Sequence, residues 1–250
     1  SSSSAASDVY KRQGSQGVLL SGGSDQQGRL PWEKYYEVIN KISRMTSLFI
    51  SAHVGFPDLE TCMELKRAGV RQALMDVIGD DETASRIYHL NGLDTVLSAM
   101  EAVSQSGLEF IPHVVAGLFY GKIQAEVTAL EKIRDMKPSG LVIVALTPMK
   151  KTPMAEHSPP SSLDVARLIA KARIMMPEIP ISLGCERPRN REGTALERLA
   201  IRAGATRMAI WSDEAIIDAM ELGLSPRYQG TCCSIGFMEE FRLKNSVRVR

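Results

Sequence analysis

No apolar run in this sequence approaches the roughly 20 residues that a membrane span requires. The Ser-rich opening SSSSAASDVYKRQ also lacks the apolar core of a secretory leader. A membrane-embedded or exported protein is therefore not expected, and the chain reads as cytoplasmic. An excess of charge of either sign is missing as well, since 30 Lys and Arg stand against 29 Asp and Glu and leave a formal net charge of +1. Such a balance gives no field to gather polyanions or anionic lipid, which argues against nucleic acid and membrane surfaces as partners. Cysteine is scarce. Four in 250 residues, with Cys232 and Cys233 adjacent, do not make a secreted disulfide framework; reduced thiols or metal ligands fit better. Nor does composition break anywhere to mark a second folding unit. With 44% apolar and 24% charged residues, one large domain with a sizeable core is the expectation.

What is present is alternation. From Gly14 onward, short β-branched runs are separated by longer segments of helical period, the sequence form of repeated βα units on a parallel sheet. Strands are predicted over 17–20, 48–53, 72–76, 110–115, 141–146, 181–183 and 208–210. Helices are predicted near 32–44, 58–68, 94–106, 122–136, 162–175, 191–203 and 213–222. Gly69, Gly107 and Gly204 stand where three of these helices must stop in a left-handed conformation. A closed parallel barrel has eight strands, so seven units predict an incomplete α/β barrel whose first strand is missing. An open, doubly wound sheet is the competing architecture. Residues 1–13 are expected to be disordered, and their DVYKRQ run resembles a translated sequencing adapter. Residues 14–236 are expected to form the barrel and 237–250 a polar, basic tail.

In parallel barrels the working residues gather just after the strands, and here those positions are polar. Ser21-Gly22-Gly23-Ser24-Asp25 follows the first strand, His53 ends the second, Asp76 to Asp81 the third, and His113 lies in the fourth. Thr147 to Pro153, with Lys150 and Lys151, follows the fifth, and Cys185-Glu186-Arg187 the sixth. The stretch from Pro148 to Pro160 is long for a strand-to-helix connection and is a candidate cover for a substrate. Each has a plainer reading: an aspartate after a strand caps the next helix, a histidine is buried with its hydrogen bonds satisfied, and paired lysines are solvated. Cys62, inside a predicted helix, reads as packing.

The run from Gly17 to Gly23 resembles the second strand and glycine turn of the radical S-adenosylmethionine (SAM) superfamily. Asp76 to Thr83 resembles the fourth-strand turn of biotin-synthase-like members, and Lys151-Thr152-Pro153-Met154 their segment after the sixth strand. Leu20 to Gly28, Ser182 to Arg189 and Gly230 to Ser234 are most similar to the biotin-synthase homologues that form one half of two-component radical SAM lipoyl synthases. The resemblance spans 14–236. It implies SAM and a 4Fe-4S cluster as cofactors, a 5′-deoxyadenosyl radical, and sulfur insertion into a small or carrier-protein-bound acyl substrate, with a second radical SAM subunit as partner. It further implies Gly22 and Gly23 as contacts to the methionine end of SAM, and Asp76 or Asp80 as a contact to its ribose or amine. His53 and His113 would face the cavity. Cys185, Cys232 and Cys233 would hold an auxiliary iron-sulfur cluster; apart from the resemblance, Lys150 and Lys151 in the long loop and Arg187 after the sixth strand are candidates to meet the substrate. One element of the family is lacking. The cluster that cleaves SAM needs a Cys-x3-Cys-x2-Cys spacing, which Cys62, Cys185, Cys232 and Cys233 do not provide. The chain is therefore expected to be an inactive part of a longer parent. Two other readings stay open: a cluster-free lyase or aldolase whose Gly22-Gly23 turn holds an anionic substrate, and a non-catalytic interaction barrel.

Overall fold

A computed structural model describes residues 14–236; the expectations for 1–13 and 237–250 lie outside the described residues. The element order is β1 (Gly17–Leu20), a 3-10 turn (Trp32–Lys34), α1 (Tyr36–Met45), β2 (Phe49–His53), α2 (Leu59–Ala68), β3 (Gln72–Asp76), α3 (Asp81–Ile87), α4 (Asp94–Ser106) and β4 (Glu109–Ala116). It continues with α5 (Glu126–Asp135), β5 (Leu141–Ala145), α6 (Ser162–Met175), β6 (Ile181–Leu183), α7 (Arg191–Arg202), β7 (Arg207–Met208) and α8 (Asp213–Glu221). All strand pairs are parallel, and the sheet order follows the chain from β1 to β7. A doubly wound sheet would reverse direction at a switch point. This one never does, which overturns the competing architecture and leaves a seven-stranded half-barrel, open between β1 and β7 among the described residues.

Period-two alternation sends one set of strand side chains outward to the helices and the other into the lumen. Ile50, Ala52, Ala73, Met75 and Ile143 face outward and pack with Leu65, Val103, Leu130 and Ile169 of the helices. Leu74, Ile111, Val142 and Val144 form a separate apolar cluster, with Val115 against it, on the inner face. The predicted helix stops hold, with φ of 110° at Gly69, 72° at Gly107 and 96° at Gly204.

Some boundaries differ from expectation. The helix expected at 32–44 is a 3-10 turn followed by α1. That expected at 122–136 begins at Glu126, because Gly117, Tyr120 and Gly121 all take positive φ and turn the chain first. The last strand stops at Met208 rather than 210, and Ile210 has φ +52°, which no strand accommodates. α3 was not expected at all.

The segment 230–236 returns across the lumen at the strands' N-terminal ends. Gly230 O accepts from Gln16 N at 3.0 Å, just ahead of β1. Ser234 O accepts from Gln72 Nε2 of β3 and Arg207 Nη1 of β7, both at 3.3 Å, and Ser182 Oγ of β6 donates to Cys233 O at 3.1 Å. Ile235 is buried there. One short segment thus spans the opening from β1 to β7.

Candidate functional site

Three sequence-predicted residues meet at the C-terminal ends of β2, β3 and β4. Asp76 and His113 are register partners on adjacent strands, and His53 is paired with Leu74, two residues before Asp76 on the same face. The His53 and His113 rings lie 5.0 Å apart, and His53 Nε2 is 3.7 Å from Asp76 Oδ1. A fourth member was not predicted: Tyr88, at the C-terminal cap of α3, donates its hydroxyl to Asp76 Oδ2 at 2.7 Å. Its ring packs 5.8 Å from Phe56 after β2. Burial, then the Asp76 carboxylate, pushes the Tyr88 phenol well above its ordinary pKa, so it stays protonated as a donor.

His113 is pushed down to about 4, first by burial and then by the neighbouring His53, so it is a neutral imidazole at physiological pH. Its Nδ1 lies 3.3 Å from Ile111 O. The sign of the linkage follows. Between about pH 6.5 and 4 the unfolded chain takes up a proton here that the native chain does not, so stability falls on acidification. The loss through His113 is expected to reach about 3 kcal/mol by pH 4. Urea unfolding of wild type and His113→Gln across pH 4.5 to 7 checks this; equal pH slopes in the two proteins would sink it.

The other expected residues are placed as follows. Gly22 and Gly23 lie in an exposed loop after β1, and a Cβ built on Gly23 meets nothing within 4 Å, so its backbone is open to approach. The loop is braced behind them, since Asp25 Oδ1 accepts from Gln27 N at 2.9 Å and Arg29 N at 2.8 Å. Asp80 is taken by capping: its carboxylate accepts from Thr83 N at 2.7 Å and Gln124 Nε2 at 3.2 Å. Lys150 and Lys151 are exposed. Arg187, expected on the substrate rim, is instead enclosed. Its guanidinium donates to Glu197 Oε1 at 2.8 Å and to the carbonyls of Gly184 and Ile210, while Nε has no protein partner. A residue so occupied holds the loop after β6 to α7.

Of the cysteines, Cys62 is buried in α2 and burial pushes its thiol up to about 12, as packing requires. Cys185 is exposed, Cys232 half-buried and Cys233 buried. The hydrogen bond from Cys233 brings the Cys232 thiol down to about 5, assisted by the Ser234 hydroxyl at 3.3 Å, and Cys233 is correspondingly raised. Cys185 adds a lesser upward push on the Cys233 thiol.

No family model matches the chain. Among curated proteins, the biotin synthase of Neorickettsia sennetsu is 26% identical over 171 residues, covering 68% of this chain and 51% of the relative. That of Ruthia magnifica is 26% identical over 157 residues, covering 61% and 47%. The chain is related to radical SAM enzymes such as biotin synthase. It spans about half the length of the curated relatives it matches. The fold agrees: HydG, a maturase of the FeFe-hydrogenase, superposes with a TM-score of 0.66 at 17% identity over 81% of this chain and 47% of its own. The HMG-CoA lyase of Brucella melitensis reaches 0.60 at 11% identity over 87% and 82%. Such likenesses establish the barrel and not the chemistry.

The relationship implies SAM and a 4Fe-4S cluster for the family, and the residues present can be tested against both. The cluster that cleaves SAM finds no Cys-x3-Cys-x2-Cys in this sequence. For an auxiliary cluster, no group of three or more His, Cys, Asp or Glu side chains is arranged to hold a metal among the described residues. Cys185, Cys232 and Cys233 therefore do not form a ready ligand set. SAM itself fits better, since an open glycine backbone and a carboxylate anchored by Tyr88 beside two imidazoles offer hydrogen-bonding partners. No helix among the described residues is long and apolar enough to cross a membrane.

Proposed function

We propose that residues 14–236 are the SAM- and substrate-holding barrel of a radical SAM enzyme of the biotin-synthase kind, one that inserts sulfur into a small or carrier-bound acyl substrate. The observation that carries this reading is the convergence of His53, Asp76, Tyr88 and His113 at the strand ends of a chain related to biotin synthase. The exposed Gly22-Gly23 backbone takes the methionine end of SAM. Asp76 accepts a hydrogen bond from its hydroxyls or amine. Leu74, Ile111, Val142 and Val144, buried together on the inner face, give this mouth an apolar surround. Exposed Lys150 and Lys151 meet a carboxylate or an acyl-carrier protein. In such enzymes the 4Fe-4S cluster supplies the electron that cleaves SAM; these cysteines do not hold it, so no step through it is assigned to this chain, and a second radical SAM subunit is the partner in this reading.

This chain is expected to bind SAM without cleaving it. Calorimetric titration of the 250-residue protein tests the reading directly. Saturable binding that weakens roughly tenfold in Gly23→Val at an unchanged melting temperature is the expected result, because a side chain there blocks the backbone without touching the fold. Absence of binding by the wild type overturns it.

A further inference from the structure

Asp76 has two carboxylate oxygens in different surroundings. Oδ2 accepts the Tyr88 hydroxyl at 2.7 Å, while Oδ1 looks toward His53 Nε2, 3.7 Å away. That second distance is too long for a hydrogen bond. Oδ1 is thus left with acceptor capacity at the mouth of the lumen, beside two imidazoles whose rings are 5.0 Å apart. Tyr88 comes from outside the sheet. It closes α3, a seven-residue helix started by the Asp80 cap, and the next residue, His89, takes φ +58°, which turns the chain away directly after the tyrosine. The ring is fixed on its other side by Phe56. Nothing else about α3 calls for a phenol here, because the packing against Phe56 needs only the ring.

We propose that Tyr88 is a positioning residue: it anchors one oxygen of Asp76 so that the other is presented, with His53 and His113, to a hydroxyl-bearing ligand entering the lumen, namely the ribose of SAM. The proposal rests on the reading that this mouth takes SAM. A carboxylate on a strand end has a free χ2 rotation, and a bond to one oxygen removes it before the ligand arrives. Tyr88 therefore acts through Asp76 and does not itself touch the ligand.

The test is a double-mutant cycle on SAM affinity in the 250-residue chain. Tyr88→Phe keeps the ring against Phe56 and is expected to weaken binding about tenfold. Asp76→Asn is expected to weaken it at least as much, and the double variant no further than Asp76→Asn alone. Additive losses, or a Tyr88→Phe protein that binds like wild type, overturn the proposal. A second measurement needs no ligand. The chain has four histidines, and in Tyr88→Phe the side-chain NMR resonances of His53 should move while those of His157 stay. Unmoved His53 resonances overturn the positioning role even if SAM does not bind. Moved His53 resonances in a wild type that fails to bind SAM uphold the tether and overturn the reading of the ligand alone.

Discussion

Replacing Arg187 with methionine is expected to lower stability by about 3–5 kcal/mol, because it removes the nearer and fully buried counter-charge of a buried carboxylate. The Arg187 side chain is 0% exposed and that of Glu197 6%. Glu197 would keep the Ser212 amide, at 2.7 Å, and the exposed Arg189 guanidinium at 4.0 Å, and the carbonyls of Gly184 and Ile210 would lose their donor. Burial by itself raises the Glu197 pKa; the hydrogen bonds from Arg187 and Ser212 outweigh it and hold the carboxyl below its usual range. In a domain of this length the loss corresponds to a fall in melting temperature on the order of 10 °C. The double variant Arg187→Met/Glu197→Leu should recover most of it, since an apolar pair costs no desolvation. Chemical denaturation of the two proteins decides the matter: a single variant within about 1 kcal/mol of wild type would show that the pair is not what holds the loop after β6.

Gly79→Ala is expected to be nearly as damaging, for a different reason. A Cβ at this position falls 1.9 Å from Ala125 O and 2.9 Å from Ala129 N, both backbone atoms of the neighbouring βα unit. No rotamer change relieves such a contact, so the chain must move apart at an expected cost of about 3 kcal/mol or more. Gly79 immediately precedes the Asp80 cap of α3, so the same displacement draws Tyr88 away from Asp76 and should abolish SAM binding as well as stability. Ala125→Gly should fail to rescue it, because the obstacle is main chain. A melting temperature unchanged from wild type would refute the close approach, and a rescue by Ala125→Gly would refute its backbone origin.

The sequence reading and the structure agree where one signal dominates and part where two compete. β2 through β6 were legible because each is a short, largely apolar run that is buried on its helix-facing side. α3 was not, because Asp81–Ile87 is too short and polar to show a period; its one sequence signal is Asp80, three residues before Thr83, which is a capping pattern. Taking that signal seriously would have placed Tyr88 at the helix end, over the strand mouth. Asp76, His53 and His113 were visible from their position after strands. Arg187 looked equally well placed, but its partner Glu197 sits ten residues on in α7, and a sequence does not display which of two arginines, Arg187 or Arg189, turns inward. The cysteines were read as ligands from their chemistry and from the resemblance to sulfur-inserting enzymes, neither of which carries geometry, and no ligand group forms around Cys185, Cys232 and Cys233 among the described residues.

The segment that crosses from β1 to β7 carries a kinetic consequence. Its bonds join Gln72 to Ser234, 162 positions apart, and Gln16 to Gly230, made roughly 200 residues later during synthesis. Contacts of that sequence separation form late, because the chain entropy of closing so long a loop must be overcome before they stabilise anything. During translation the Gln16 amide therefore waits for its Gly230 partner until that later segment emerges. The seam from Gln16 to Gly230 should accordingly be the last region to acquire protection from hydrogen exchange on refolding and the first to lose it.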